Sequence, residues 1–151
     1  FDLNLFAHHY FVKHGVDIMK KQQTRGVALF NISKQAVNPG KNYAAYGLTK
    51  AALMFLMKQY VVEYSQYGIR FNGVNADRIR SGLMTPEMIT KRSKARGLTI
   101  EQYMSGNLLK QEVKATDVAD AFYHLALSQK STAAIITVDG GNIEEKNSIN
   151  D

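Results

Sequence analysis

The chain has 151 residues and a mass of 16.9 kDa, the size of one ordinary domain. Its apolar fraction of 45% and charged fraction of 21% are typical of a globular protein and exclude a disordered or fibrous one. No apolar run approaches the ~18–20 residues that span a bilayer, and the absence of cysteine excludes disulfides, thiolate catalysis and Cys-ligated metal sites. The first residues carry neither a basic segment nor a cleavage site, so we expect a cytoplasmic protein with no membrane partner.

Most of the net charge of +6 lies in one segment. Residues 78–114 hold eight lysines and arginines against three glutamates. This excess can be a solvated helical face, a contact to an anionic substrate, or a nucleic-acid contact. Tyr103 is the only aromatic residue of the segment, so the basic–aromatic interleaving of a single-strand platform is missing. We therefore expect no nucleic acid, and both a solvated helical face and a contact to an anionic small-molecule substrate, phosphorylated or carboxylated, stay open.

The first half of the sequence predicts a helix, a strand and a second helix. Leu3–Gln23 has a helical apolar stripe, and Val27–Ile32 is a short apolar run typical of a buried parallel strand. A loop containing Pro39-Gly40 leads to a long helix over Tyr43–Tyr67, which Gly68 is placed to end.

The second half begins with a strand over Ile69–Asn75 and continues into an irregular lobe over 76–114. Short helices are expected there after Pro86 and Thr99. A further helix is expected from a cap at Thr116-Asp117 to Leu127, followed by a strand over Ala133–Val138 and a polar tail over 142–151. Helices between apolar strands predict parallel α/β crossovers. Three strands are few, because an open doubly wound sheet has five or more.

Tyr46 and Lys50 stand four residues apart and therefore on one face of the second helix. An ammonium near a phenol lowers the pKa of the phenol from its ordinary value of about 10. Such a tyrosine can exchange a proton with an alcohol or carbonyl oxygen near neutral pH. The pair alone is as readily structural, since a chain with eight tyrosines produces about one such spacing by chance.

Ser33 strengthens the interpretation because it follows the first strand. Ligands of open α/β sheets bind at the carboxyl ends of the strands. A hydroxyl there could donate a hydrogen bond to a developing oxyanion. A serine that only satisfies loop backbone is the alternative.

The chain resembles the C-terminal half of a short-chain dehydrogenase/reductase. The resemblance rests on ordered matches along nearly the whole chain, namely Asn4-Leu5, Asn31-Ile32-Ser33, Tyr46-Gly47-Leu48-Thr49-Lys50-Ala51, Asn72-Gly73-Val74, Thr116-Asp117-Val118-Ala119 and Val138-Asp139-Gly140-Gly141. It implies a Rossmann-like doubly wound sheet of which residues 1–141 form the catalytic half. The glycine-rich dinucleotide turn and the first strands are expected to be absent from this chain.

The resemblance implies the roles of the site residues. Tyr46 would be the general acid/base, Lys50 its modulator and a ribose contact, Ser33 the ligand of the substrate oxygen, and Asn4 the holder of a water beside Lys50. Ala76, Asp77, Ile79 and Ser81 would lie along the nicotinamide, with NAD or NADP as cofactor. The family's Pro-Gly is replaced by Ala76-Asp77. Arg78 and Arg80 would meet the substrate.

Residues 31–42 and 73–83 resemble one subgroup of the family in particular. They are similar to the dehydrogenase domain of bifunctional bacterial rhamnulose-1-phosphate aldolase/alcohol dehydrogenase proteins. This implies carbohydrate metabolism and a hydroxy-aldehyde or sugar-derived substrate. The opposing interpretation is a non-catalytic α/β interaction fragment that binds no cofactor.

Other candidates are weaker. His8, His9 and His14 lack a carboxylate at ligand spacing, so we expect no metal site. Asp117 and Asp120 are interpreted as an N-cap and a first-turn partner of the helix dipole. The 151-residue chain alone is expected to bind neither dinucleotide and to show no activity. It is also expected to self-associate through its first two helices, the contact that the family implies for a homo-oligomer.

Overall fold

The computed structural model describes residues 1–142, and five α-helices and three strands form this part of the chain. In chain order they are α1 (Ala7–Gln22), β1 (Val27–Asn31), α2 (Ala44–Tyr64), β2 (Arg70–Ala76), α3 (Pro86–Lys94), α4 (Ile100–Met104), α5 (Ala115–Leu127) and β3 (Ile135–Val138). A π-helical turn over Asp2–Phe6 leads into α1, and 3₁₀ turns over Lys34–Ala36 and Ser65–Tyr67 flank α2. Apart from Asn142, the polar tail predicted at 142–151 lies outside the described residues.

The strands form one parallel sheet in the order β1-β2-β3. Val27 lies opposite Arg70, and Gly73 lies opposite Ile135. The predicted parallel α/β architecture is confirmed. Because all three strands run the same way, their carboxyl ends meet at one edge of the sheet, where a ligand site is expected. Within residues 1–142 β1 pairs with β2 alone, which leaves its other edge open.

Helices cover both faces of the sheet. On one face α1 and α2 pack on β1 and β2, and the buried side chains there are Val16, Phe30, Ile32, Leu53, Met57, Tyr60, Ile69 and Phe71. On the other face α5 packs on the strands through Ala121 and Leu125, which meet Val74. Alternate residues of β2 thus enter two different cores, as the two-residue period of a strand requires. A third, smaller core joins α3 to α4 through Ile89, Tyr103 and Met104.

Arg70 ties α5 to the start of β2. Its side chain is 8% exposed and donates to the carbonyl oxygens of Leu125, Ala126 and Ser128 at 2.7–3.0 Å. The last carbonyls of a helix have no partner within the helix. A buried guanidinium therefore supplies the C-terminal cap that α5 lacks locally.

The element ends differ from the predicted ones for local reasons. The carbonyl of Phe1 accepts from both Leu5 and Phe6, which widens the first turn into a π turn ahead of α1. Asp117 is the third residue of α5, not its N-cap, and its carboxylate accepts from the amide of Lys114 at 2.7 Å. Ala133 has a φ of 61°, so it cannot be extended and β3 begins later. The second helix ends at Tyr64, earlier than predicted, and Gly68, with a φ of 75°, ends the 3₁₀ turn that follows it.

His9 of α1 lies at the interface with α2. His9 Nδ1 lies 2.6 Å from the hydroxyl of Tyr60 on α2, and burial raises the pKa of Tyr60 to about 12.

Among residues 1–142 no group of three histidine, aspartate or glutamate side chains is placed to hold a metal ion. No helix in the same part of the chain has the length and apolarity needed to cross a membrane.

Candidate active site

A cavity of about 480 Å³ opens at the carboxyl ends of β1 and β2. Its wall is built from the segment after β1, the start of α2, the segment after β2, the face of α3, and the start of α5. The residues that line it are Asn31, Ile32, Ser33, Gln35, Tyr43, Tyr46, Ala76, Asp77, Arg78, Ile79, Ser81, Leu83, Met84, Met88, Arg92, Ala115 and Val118. Ser33 and Tyr46, two of the predicted catalytic residues, therefore share one cavity.

Ser33 reaches the cavity because it ends the extended run of β1. It caps the 3₁₀ turn that follows, and its hydroxyl oxygen accepts from the amide of Gln35 at 3.3 Å. The hydroxyl proton stays available to a ligand, since the oxygen serves as acceptor in this bond. This bond is the one that the alternative interpretation, a serine that satisfies loop backbone, requires.

Tyr46 and Lys50 lie one turn apart on α2, as the spacing predicts. The ammonium nitrogen of Lys50 lies 5.8 Å from the centre of the Tyr46 ring and donates to the carbonyl of Asn31 at 2.9 Å. Lys50 is only 6% exposed, and burial lowers its pKa. The Lys50 side chain is thus held against the Tyr46 ring by its bond to the end of β1.

Asn4 lies in the π turn, which packs against α2 but does not line the cavity. His8, four residues after Asn4, does not line this cavity either. Burial and the charge of Lys50 lower the pKa of His8, and its Nδ1 is buried without a partner among the described residues. Both effects favour the neutral imidazole.

The predicted nicotinamide segment forms the opposite wall. Ala76, Asp77, Ile79 and Ser81 all line the cavity. The carboxylate of Asp77 accepts from the side-chain amide of Asn142 at 2.5 Å and lies 3.5 Å from the guanidinium of Arg78. The negative charge at the position of the family's Pro-Gly is therefore compensated within the wall.

The two arginines predicted to meet substrate have different surroundings. Arg78 lines the cavity, but its guanidinium donates to the carbonyls of Tyr103 and Gly106 at 2.9 and 3.2 Å. Arg80 is not among the lining residues, and Glu112 binds its guanidinium at 2.5 and 3.2 Å. Charge pattern along the sequence could not show either pairing, because both partners lie 25 or more residues away.

Several lining residues were not singled out from the sequence. Tyr43 packs edge-on against Tyr46, with ring centres 6.3 Å apart. Met88 and Arg92 stand four residues apart and share the cavity face of α3. They belong to the irregular lobe, where apolar periodicity is too short to indicate which face of a helix is covered.

The chain spans about half the length of the curated relatives it matches. Residues 1–142 match the family described as Enoyl-(Acyl carrier protein) reductase. The chain belongs to the short-chain dehydrogenase/reductase family. A relative of that family, Short-chain dehydrogenase reductase 3a of Arabidopsis thaliana, is 31% identical over 87% of this chain and 50% of its own length.

A second relative differs in length. The Uncharacterized oxidoreductase YuxG of Bacillus subtilis is 30% identical over 93% of this chain, yet the match covers only 22% of the Bacillus protein.

Solved structures share the fold of this short-chain dehydrogenase/reductase chain. Sorbitol-6-Phosphate 2-dehydrogenase SrlD of Erwinia amylovora has a TM-score of 0.78 at 19% identity, and the match covers 94% of this chain and 58% of the SrlD chain. ElxO with NADP bound has a TM-score of 0.76 at 23% identity, and the match covers 91% of this chain and 54% of the ElxO chain.

Proposed function

We propose that this chain provides the proton-transfer half of an NAD(P)-dependent oxidoreductase that interconverts an alcohol and a carbonyl compound. One observation carries the proposal: Ser33 and Tyr46 line a single cavity at the carboxyl ends of the strands, with the buried ammonium of Lys50 beneath the Tyr46 ring. A hydroxyl donor, a phenol and a fixed positive charge are the groups that proton transfer to a carbonyl oxygen needs.

The residues present fit the nicotinamide-ribose end of a dinucleotide. The ammonium of Lys50 has three N–H donors, and among the described residues the carbonyl of Asn31 is its one hydrogen-bond acceptor. Two buried donors beside Tyr46 match the vicinal hydroxyls of a ribose. Asn75, at the end of β2, also keeps a buried Oδ1 without a partner in this part of the chain.

In the proposed mechanism Ser33 donates its hydroxyl proton in a hydrogen bond to the substrate oxygen. Tyr46 gives its Oη proton to that oxygen during reduction and takes it back during oxidation. Lys50 stabilises the phenolate that remains, and apolar side chains of the lobe, such as Met84 and Met88, exclude water from the cavity. The nicotinamide supplies or accepts the hydride when bound.

Tyr46→Phe in the intact protein tests the proposal. The change removes the transferable proton and keeps the ring, so turnover should fall by at least ~10²-fold, while NAD(P)H affinity changes little. Tyr123→Phe is the matched control, because Tyr123 is 68% exposed on α5 and outside the cavity. Nearly full turnover in Tyr46→Phe would remove Tyr46 from the mechanism. An intact wild-type protein that binds neither NADH nor NADPH would favour the non-catalytic interpretation.

We further propose a hydroxy-aldehyde or sugar-derived substrate in bacterial carbohydrate metabolism, within a fusion to a class II aldolase domain of the rhamnulose-1-phosphate type. The similarity of residues 31–42 and 73–83 to proteins of that type supports this proposal. The match covers 22% of the Bacillus protein against 46–52% of several other relatives, so that relative is a longer protein. Sequencing the complete gene and assaying lactaldehyde with both dinucleotides tests both parts.

We also propose that the protein is a homo-oligomer that assembles through α1 and α2. Large apolar side chains on the outer face of α2, Leu48, Phe55 and Val62, are 59%, 69% and 79% exposed. They stand seven residues apart and so form one seam along the helix. Exposed apolar seams of this kind are covered by association.

A further inference from the structure

Two cationic residues, Arg78 and Arg92, stand in the described cavity wall. Arg78 is neutralised locally, since its guanidinium is hydrogen-bonded to two backbone carbonyls and lies beside the carboxylate of Asp77. Arg80, the other arginine near the end of β2, is held by Glu112 outside the wall. Both guanidinium groups thus already have partners within the fold.

Arg92 has none of the polar partners that Arg78 and Arg80 have among the described residues. Among residues 1–142 its guanidinium has no ion pair and none of its N–H groups has a hydrogen-bond acceptor. The guanidinium carbon lies 5.3 Å from the centre of the Tyr43 ring. Stacking on an aromatic face fixes the plane of a guanidinium and leaves the donors on its edge free for a planar or tetrahedral oxyanion.

The backbone beneath Arg92 is rigid. Helix α3 is anchored by Ile89 and Ser93, which are 1% and 2% exposed, and it is capped by the Thr85 hydroxyl. Met88, one turn before Arg92, lines the same cavity and gives it an apolar floor. A half-buried guanidinium with unused donors, on a fixed helix above an apolar floor, is preorganised for an anion.

We propose that Arg92, stacked on Tyr43, is the specificity-determining residue that binds the anionic end of the substrate, a phosphate or carboxylate group. The proposal rests on the proposed function, which places the reacting carbonyl at Ser33 and Tyr46. The guanidinium carbon of Arg92 lies 5.3 Å from the centre of the Tyr43 ring, which lies 6.3 Å from the centre of the Tyr46 ring. Arg92, Ser33 and Tyr46 line the same cavity, so a phosphorylated or carboxylated aldehyde of a few carbon atoms is the substrate class we expect.

The test compares glyceraldehyde 3-phosphate with glyceraldehyde in the intact protein. Arg92→Gln should raise the KM for the phosphorylated aldehyde at least ~10-fold, the usual effect of losing a charge-assisted hydrogen bond, and leave the KM for glyceraldehyde within about twofold. Arg92→Lys should restore part of the loss, because it returns the charge without the planar fork. Lys94→Gln is the control for long-range charge, since Lys94 is exposed on the same helix and outside the wall.

Calorimetric titration with inorganic phosphate gives a second readout that needs no turnover. Phosphate should bind the wild type and Lys94→Gln alike and bind Arg92→Gln at least ~10-fold more weakly. Equal KM changes for both aldehydes, or phosphate binding that survives in Arg92→Gln, would overturn the role of Arg92. Absence of any NAD(P)H-dependent reduction by the wild type, with Arg92-dependent phosphate binding intact, would overturn the proposed function and not the anion site.

Discussion

In the proposed mechanism the charge of Lys50 serves catalysis, but burying that charge lowers the stability of the fold. Its ammonium is buried, its pKa is lowered by that burial, and one acceptor from the described residues compensates it. Burying an incompletely compensated charge costs free energy that an apolar side chain of similar length does not. In the proposed mechanism activity needs the charge, whereas folding does not.

Lys50→Met should therefore raise the free energy of unfolding by about 1–2 kcal/mol at pH 7 while removing turnover. Urea unfolding measures the first effect, and Lys58→Met, an exposed lysine of the same helix, is the control for added apolar surface. Because the pKa of Lys50 is lowered in the folded protein, its destabilising effect is largest at neutral pH and fades as the pH rises toward the ordinary value of 10.5. A Lys50→Met variant less stable than the wild type would show that the bond to Asn31 outweighs desolvation.

The grouping of the candidate catalytic residues could be predicted, because their spacing along the sequence brings them to one end of the sheet. Tyr46 and Lys50 share a helix face at four-residue spacing, and Ser33 directly follows a strand. Arg92 could not be distinguished from the other basic residues of the lobe. What separates it from Arg78 and Arg80 is the carbonyl and carboxylate partners that the fold brings from Tyr103, Gly106 and Glu112.

At the scale of elements, α5 depends on a residue that belongs to a strand. Arg70→Met should lower the free energy of unfolding by about 3 kcal/mol, because it removes charge-assisted bonds to three helix-end carbonyls and leaves those oxygens buried. Urea unfolding checks this loss. Lys130→Met, in the exposed loop after α5, should change the same quantity by less than about 0.5 kcal/mol. Equal effects of the two changes would contradict a capping role.

The strands and long helices could be predicted, since apolar runs and helical periodicity report burial directly. Element ends could not, and the differences have separate causes. The double acceptance by Phe1 widens the start of the first helix, and the left-handed Ala133 delays the third strand. Neither arises from propensity, because each depends on a backbone conformation that the neighbouring structure imposes.

At the scale of the molecule, the seam on α2 predicts association. Phe55→Glu places a charge in the middle of the seam and should weaken self-association of the 151-residue chain at least ~10-fold at micromolar concentration. Sedimentation velocity measures the effect. Tyr123→Glu is the control, because Tyr123 is equally exposed on α5, on the opposite face of the sheet. If Phe55→Glu self-associates as strongly as the wild type, the seam is not the contact, and the open edge of β1 becomes the site to test.

The cavity is assembled mainly from two stretches of chain that are separate in sequence, and Ala115 and Val118 of α5 complete its wall. Residues 31–46 bring the serine and the tyrosine, whereas residues 76–92 bring the charged and apolar side chains that face them. The second stretch packs within its own small core of Ile89, Tyr103 and Met104, so it can vary with little disturbance to the sheet. In the proposed function, substitutions in the lobe can therefore change which substrates are accepted while Ser33, Tyr46 and Lys50 keep their positions.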